Sequence, residues 1–270
     1  MPRSLFILTS FSAISLSWAA SDAVRQAPSY TASDVINSAT GESGVLAPNS
    51  FATLRGTGLA NTTRALTDDD IRGGLLPTVL SGTGVRVLVG GFPAYIHYVS
   101  PTEVNFLIPS NLLPGPTNVQ LVLDGRAGPS VKITLSEIAP GLFPENESKS
   151  VVAAHSDGHR ITEENPARPG EVIVLYANGM GPTTPSIVNG HVPTKPARIK
   201  HAPDLRVWIN GETIDQSQIE YAGIAPYLAG LYQITLMLPE YCPDDPEVRI
   251  ELPGIMSPEG TKIWVRPASE

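Results

Sequence analysis

The chain has 270 residues, of which 16% are charged, and it carries a formal net charge of −8 with no run of Lys or Arg. Nucleic acids and anionic membrane surfaces require a concentrated positive patch, so this charge pattern argues against both as partners. With 26 prolines and 24 glycines the chain turns too often for a helical protein, and its single cysteine, Cys242, excludes an internal disulfide. The length suits two domains, each with its own core.

Residues 1–19 have the pattern of a secretory signal peptide. Arg3 supplies the positive charge, a short apolar stretch follows, and small residues precede a cleavage site after Ala19. The apolar stretch is interrupted by serines and is shorter than the roughly 18 residues that a membrane span requires. We therefore expect a protein that is secreted, either extracellular or periplasmic, with no membrane span after cleavage.

Residues 20–44, rich in Ser, Ala and Thr, are predicted to form a leader arm that docks on the first domain through Val35 and Ile36. Two copies of one strand pattern follow the arm. Each copy has five or six short runs of alternating apolar residues, separated by Gly, Pro or Asn, which is typical of a β-sandwich. Gly90-Gly91 and Asn210-Gly211 occupy equivalent places and predict two-residue hairpin turns with positive φ.

The chain is therefore predicted to be all-β, with helix only as isolated turns. The predicted domains are a first sandwich over 45–144, a connecting hairpin over 145–164 and a second sandwich over 165–270. The connecting hairpin turns at Asp157-Gly158, a strong turn signal, and is expected to pack on the second sandwich.

Several segments resemble an uncharacterised C-terminal domain family of secreted acidobacterial (Solibacter-type) proteins. They are 35–39, 47–48, 56–60, 166–171, 175–182, 222–226 and 230–233. Each copy is also similar to IPT/TIG-type immunoglobulin-like domains, so the resemblance implies tandem immunoglobulin-like sandwiches and export. Asn49 and Tyr227 stand where glycine is expected, and Glu103 where glutamine is expected. The family has no established activity, so the resemblance implies no catalytic residue.

Two histidines flank the turn of the connecting hairpin. His155, Asp157 and His159 are of types that bind zinc, and a tight hairpin would bring them together. A structural zinc site needs four ligands and this neighbourhood offers three, so two solvated histidines beside a turn are the preferred interpretation. No cofactor is expected.

The sequence gives little support for catalysis. It has no Gly-x-Ser-x-Gly elbow, and Cys242 has no histidine near it in sequence. The glycine segments at Gly56 and Gly179 lack the lysine and the following helix of a phosphate loop, so they are predicted to be turns. We expect no enzymatic activity. A hydrolase with an unrecognised site stays an alternative, since triads assemble from distant positions.

The residue pattern on one surface of the second sandwich predicts a ligand-binding site. Alternation along 205–209, 248–252 and 261–265 puts Trp208, Arg249 and Trp264 on the outward face. In the immunoglobulin strand order these side chains would form a row of two indoles and a guanidinium, which suits stacking on sugar rings and cation–π contact. Leu88, at the equivalent position of the first copy, is also apolar and outward. Because large exposed apolar patches are uncommon, this recurrence favours a surface that is covered by the leader arm or by the other domain.

The leading hypothesis is a secreted, non-enzymatic binding or adhesion module whose partner is an extracellular glycan or a protein. Export, tandem sandwiches and the missing catalytic motif support it. The first alternative is a structural spacer of the cell surface, and the second is the secreted hydrolase.

Overall fold

The computed structural model describes residues 27–145 and 149–266, so the predicted signal peptide lies outside the described residues. Within those ranges the chain forms short strands and four 3-10 turns of three residues, which confirms the all-β prediction. The 3-10 turns are Ala32–Asp34, Asp68–Asp70, Ala202–Asp204 and Gln216–Gln218. No helix among the described residues is long and apolar enough to cross a membrane.

Ten strands build the first sandwich. They are β1 (Val35–Asn37), β2 (Phe51–Arg55), β3 (Arg64–Ala65), β4 (Val85–Val89), β5 (Phe92–Pro93), β6 (Tyr95–Val99), β7 (Glu103–Leu107), β8 (Gly115–Leu123), β9 (Arg126–Ala127) and β10 (Val131–Leu135). One sheet has the order β1-β2-β7-β6-β3 and the other β10-β8-β4-β5, with β9 also paired to β8. This is immunoglobulin topology, with strands A, B, E and D facing G, F, C and C′.

Thirteen further strands belong to the second half of the chain. They are β11 (Gly141–Leu142), β12 (Pro144–Glu145), β13 (Ser150–Val151), β14 (Ala153–His155), β15 (Val172–Asn178), β16 (Thr183–Thr184), β17 (Ala197–Ile199), β18 (Arg206–Ile209), β19 (Glu212–Thr213), β20 (Ile219–Ile224), β21 (Tyr232–Met237), β22 (Val248–Leu252) and β23 (Ile255–Met256). The larger sheet runs β11-β15-β21-β20-β17-β16 with β14 also on β15, and the smaller runs β19-β18-β22-β23. The immunoglobulin order is thus repeated.

The two predicted hairpin turns join equivalent strands in the two copies. Gly90 and Gly91, between β4 and β5, have φ of 59° and 82°, and Asn210 and Gly211, between β18 and β19, have φ of 49° and 85°. Positive φ at both central residues matches the right-handed twist of the flanking strands, which is why Gly and Asn are favoured there.

The structure corrects the predicted domain boundaries at both ends of the first sandwich. Residues 35–37 of the predicted leader arm form β1, which pairs with β2 as an edge strand. The second sandwich begins at Gly141, well before 165, because β11 pairs with the far end of β15 and β14 pairs with the same strand further along. The strand that opens the second sandwich is therefore split, and the connecting hairpin is part of its larger sheet.

Two fully buried asparagines join the sandwiches. The Asn178 side chain donates to Asn37 Oδ1 (2.8 Å) and to the Phe51 carbonyl (2.9 Å), and it accepts from the Phe51 N–H (2.8 Å). Asn37 in turn donates to the Ala139 carbonyl (3.1 Å). Buried polar groups are retained only when they are satisfied in this way, so the network specifies one docking of the two sandwiches.

Close packing surrounds this network. A Cβ added to Gly179 would lie 2.2 Å from the Ala139 carbonyl oxygen, so only glycine fits there. Both segments that carry the family resemblance around 35–39 and 175–182 therefore have a structural role at this interface. An apolar cluster of Leu76, Tyr95, Leu107 and Ala229 extends the contact between the sandwiches.

The departures from the family pattern at Asn49 and Tyr227 also have a structural meaning. Both residues have positive φ, 58° and 68°, a conformation in which glycine is the usual residue. Asn49 is buried at the interface between the sandwiches, whereas Tyr227 is 72% exposed. The backbone at these two positions thus has a conformation that glycine adopts more readily than other residues.

Candidate functional site

The candidate site lies on the outward face of the smaller sheet of the second sandwich. In the register of β18 and β22, Trp208 is directly opposite Arg249, and Arg206 is opposite Glu251. Burial alternates along both strands, with Val207 and Ile250 in the core. Because direct cross-strand partners share one face, Trp208 and Arg249 lie side by side, as the alternation predicts.

Hydrogen bonds hold both side chains in place. The half-buried Trp208 donates from its indole N–H to Glu251 Oε2 at 3.0 Å. Arg249 donates from Nε (3.0 Å) and Nη2 (2.8 Å) to the carbonyl of Ser257, and from Nη1 to Glu259 Oε1 at 3.1 Å. The Glu259 side chain is 80% exposed, so this last ion pair is weak and readily exchanged for a ligand.

A groove of about 190 Å³ lies beside the indole. It is lined by Trp208, Gly211, Glu247, Arg249 and Met256. Every one of these residues belongs to the second sandwich, so in the described part of the chain neither the leader arm nor the first sandwich lines the groove. The groove combines one aromatic face with a guanidinium and a carboxylate, a set that can stack on a flat apolar surface and hydrogen-bond its polar edge.

The predicted row is wrong in its third member, Trp264. The neighbour of β22 at Glu251 and Leu252 is β23, a strand that the sequence pattern does not predict. The segment that follows β23 pairs with the residues just before β22, through an antiparallel bridge between Glu247 and Lys262. Further along, the Asp245 N–H donates to the Val265 carbonyl. Trp264 is therefore level with Asp245, four residues or about 13 Å along the strand from Arg249.

Trp264 has a local structural role. Its ring packs against the core of the second sandwich, and the guanidinium of Arg266 lies over it, 5.7 Å from the ring centroid. The register differs from the prediction because β23 is only two residues long, too short to show a period in sequence, and the chain leaves the sheet between Ser257 and Gly260 before it pairs again.

The three weak candidates for metal ligands, His155, Asp157 and His159, do not converge on one point. His155 Nδ1 lies 2.5 Å from Glu171 Oε1 and its Nε2 lies 3.2 Å from the Asn165 carbonyl, whereas exposed His159 pairs with Asp157 at 3.0 Å. Both ring nitrogens of His155 are thus engaged. No group of three or more His, Cys, Asp or Glu residues that could hold a metal occurs among the described residues.

The His155–Glu171 pair perturbs the histidine. Burial on its own would lower the pKa of His155, but the hydrogen bonds with the Glu171 carboxylate and the Asn165 carbonyl outweigh burial, and the net pKa is raised. The pair joins the connecting hairpin to the loop before β15, so its role in this geometry is to fix the hairpin on the sheet.

The potential nucleophile and bases are poorly placed for hydrolysis. Burial raises the pKa of the half-buried Cys242 thiol, which disfavours the reactive thiolate. His97 is packed edge-on against Phe51 with ring centroids 4.7 Å apart, and its pKa is lowered by burial to about 4. Among the hydrogen bonds between described side chains, none joins a histidine to a serine, threonine or cysteine.

No protein-family model matches the chain, and no curated protein matches it. Among solved structures, it is similar to the SGBP-B of the mixed-linkage glucan utilization locus of Bacteroides ovatus, in complex with a heptasaccharide, at 14% identity and a TM-score of 0.34, over 90% of this chain and 46% of that one. A surface glycan-binding protein of Prevotella bryantii matches at 12% identity and a TM-score of 0.26, over 87% and 41%. Domains A168–A170 of titin match at 11% and 0.22, over 90% and 66%.

The chain thus spans less than half the length of the two glycan-binding proteins. At such identities and TM-scores these similarities carry no argument about function.

Proposed function

We propose that this protein is a secreted, non-enzymatic binding module that takes a glycan on the outward face of its second sandwich. The observation that carries the proposal is the pair of Trp208 and Arg249, fixed side by side above a groove by bonds to Glu251 and Ser257. Export and membership of the acidobacterial secreted-protein family belong to the same proposal.

The chemistry of the groove suits a sugar ring. A pyranose has an apolar face of C–H groups and a rim of hydroxyls, and an indole offers a flat apolar surface of matching size. Glu247 accepts from hydroxyls, and Arg249 donates to them. Both side chains are already ordered, so binding costs little side-chain entropy. A groove of about 190 Å³ accommodates one ring in contact with Trp208, with the rest of the chain extending over the sheet.

The test is a glycan array probed with the mature protein, followed by titration of each glycan that is retained. We expect Trp208→Ala to weaken binding by at least about tenfold, the effect of losing one central aromatic contact. Trp264→Ala is the matched control, because it removes the same side chain from the same sandwich outside the groove. Equal loss of affinity in the two variants, or an array with no specific binding, would overturn the proposal.

The spacer function is the second candidate, and the buried Asn37–Asn178 network favours it because that network holds the sandwiches in one fixed orientation. If the protein is a spacer, the glycan array should show no specific binding, and the contact between the two sandwiches should be the same with and without glycans. Turnover of an esterase, protease or glycosidase substrate by the purified protein would instead support the hydrolase and contradict the non-enzymatic proposal.

A further inference from the structure

A second concave surface lies between the two sandwiches, away from the groove of Trp208. It is a cleft of about 360 Å³, within the size range of small-molecule sites. Leu112, Leu113 and Pro114, in the loop after β7, form one wall. Pro182 and Ile187, in the segment around β16, form the other. Neither sandwich contains the cleft by itself.

We propose that this cleft binds a small, neutral molecule whose surface is mostly apolar. The site and its ligand class are distinct from the glycan site, and the proposal does not depend on glycan binding.

The floor of the cleft is preformed and its polar groups are already satisfied. Tyr232 is fully buried, and its hydroxyl donates to the Gly181 carbonyl at 2.7 Å while accepting from Asn49 Nδ2 at 3.0 Å. Burial raises the pKa of Tyr232 to about 12, so the floor stays neutral. A ligand is therefore held through apolar contact with the walls, and it gains little by presenting many hydroxyls.

The described lining of the cleft offers an anion no positively charged partner. Glu137 is the one charged side chain that lines the cleft within the described part of the chain, and its carboxylate lies 3.5 Å from His201 at the exposed edge. No lysine or arginine of the described residues lines the cleft to hold a carboxylate or a phosphate. A neutral ligand fits this environment, whereas an anion would be repelled.

The wall from the first sandwich is fixed to the second by a direct bond. Ser110 N–H donates to Asn189 Oδ1 at 2.8 Å across the interface. Beside this bond, Leu113 is 83% exposed, which is unusual for a leucine. An ordered ligand in the cleft gives this side chain an apolar partner.

The experiment uses the mature protein and N-phenyl-1-naphthylamine, a neutral fluorescent ring compound whose emission rises in apolar sites. We expect saturable binding, and Leu113→Asp should weaken it by roughly tenfold because the variant places a charge at the mouth of an apolar site. Ser186→Trp, at an exposed position of the lining, should weaken binding by filling the mouth.

Val188→Asp is the matched control. Val188 is 64% exposed and lies two residues from Ser186 but outside the lining, so this variant should bind the probe as the wild type does. Trp208→Ala should also leave probe binding unchanged, which separates this proposal from the glycan site. Non-saturable binding, or the same affinity for Leu113→Asp and Val188→Asp, would overturn the proposal, and thermal melts of each variant identify any that fails to fold.

Discussion

The outward faces of the two sandwiches are built from equivalent strands but carry different side chains. In the first sandwich the register of β4 and β8 places Leu88 opposite Gln120, and in the second that of β18 and β22 places Trp208 opposite Arg249. A two-residue turn with positive φ follows each strand at the same distance. The two sandwiches thus have the same strand arrangement on their outward faces. Of these two cross-strand pairs, the one in the second sandwich contains an aromatic ring on which a sugar could stack.

A second pair of equivalent positions differs in how far its side chains are buried. Both β6 and β20 have a bulge between an isoleucine and a tyrosine, and the extra residue is His97 in the first copy and Glu220 in the second. Glu220 is exposed, whereas His97 packs on Phe51 and has a buried Nε2 without a hydrogen-bond partner within the described residues. One bulge faces water, and the other is covered.

The largest effect is expected from breaking the network that holds the two copies together. Asn178→Ala leaves the buried Phe51 N–H without its partner and removes one hydrogen bond each from Asn37 Oδ1 and the Phe51 carbonyl, so we expect a loss of about 3 kcal/mol in the free energy of unfolding. Urea denaturation measures it. Asn118→Ala, at an exposed position of β8, is the control and should change stability by less than about 0.5 kcal/mol. Similar stability of both variants would show that the network does not fix the two copies.

Because His97 lies in the covered bulge, we expect the free energy of unfolding to decrease in acid. His97 has a folded pKa of about 4, below its ordinary value near 6.5, so the unfolded chain binds the extra proton between these values. Stability should therefore fall by about 3 kcal/mol as the pH drops from 6.5 to 4. His97→Leu should remove this component of the pH dependence in urea denaturation, whereas His159→Leu, at an exposed position, should retain it. An identical pH dependence of the two variants would contradict a buried, neutral His97.

Tyr232→Phe tests the floor of the cleft between the copies. Without the hydroxyl, the Gly181 carbonyl and the Asn49 amide lose a partner, and we expect a loss of about 1–3 kcal/mol. Tyr241→Phe is the matched control, because Tyr241 is 98% exposed and its substitution should be neutral. Equal melting temperatures for the two variants would show that the hydroxyl does not contribute to the contact.

The smallest effect concerns the connecting hairpin on the larger sheet of the second sandwich. Because the folded pKa of His155 is raised, its ion pair with Glu171 contributes fully below about pH 6.5, and the contribution is lost as the pH rises through the folded pKa. His155→Asn should thus lower the melting temperature more at pH 6 than at pH 8. A difference between variant and wild type that does not change with pH would show that the pair is uncharged.

The sequence predicts those features that depend on local spacing. Alternation places Trp208 and Arg249 on one face, and the pairs Gly90-Gly91 and Asn210-Gly211 predict the turns. The contact between Asn37 and Asn178 is not predictable in this way, because its partners are 141 residues apart and a polar residue in a strand gives no sign of its partner. Segments 35–39 and 175–182 belong to the family resemblance, but the resemblance does not indicate that they contact each other. The register of Trp264 cannot be predicted either, because β23 is too short to show a periodic pattern in the sequence.

The most direct test of the central claim is to observe the two indoles of the mature protein separately. Trp208 and Trp264 each give one indole N–H signal in a two-dimensional ¹H–¹⁵N NMR spectrum, and Trp264→Phe assigns them. On titration with a glycan retained on the array, we expect the Trp208 signal to shift and saturate, because its N–H bond to Glu251 lies beside the groove, while the Trp264 signal stays in place. A ligand that shifts the Trp264 signal alone, or binds without moving the Trp208 signal, would contradict the claim that the outward face of the second sandwich is the binding site.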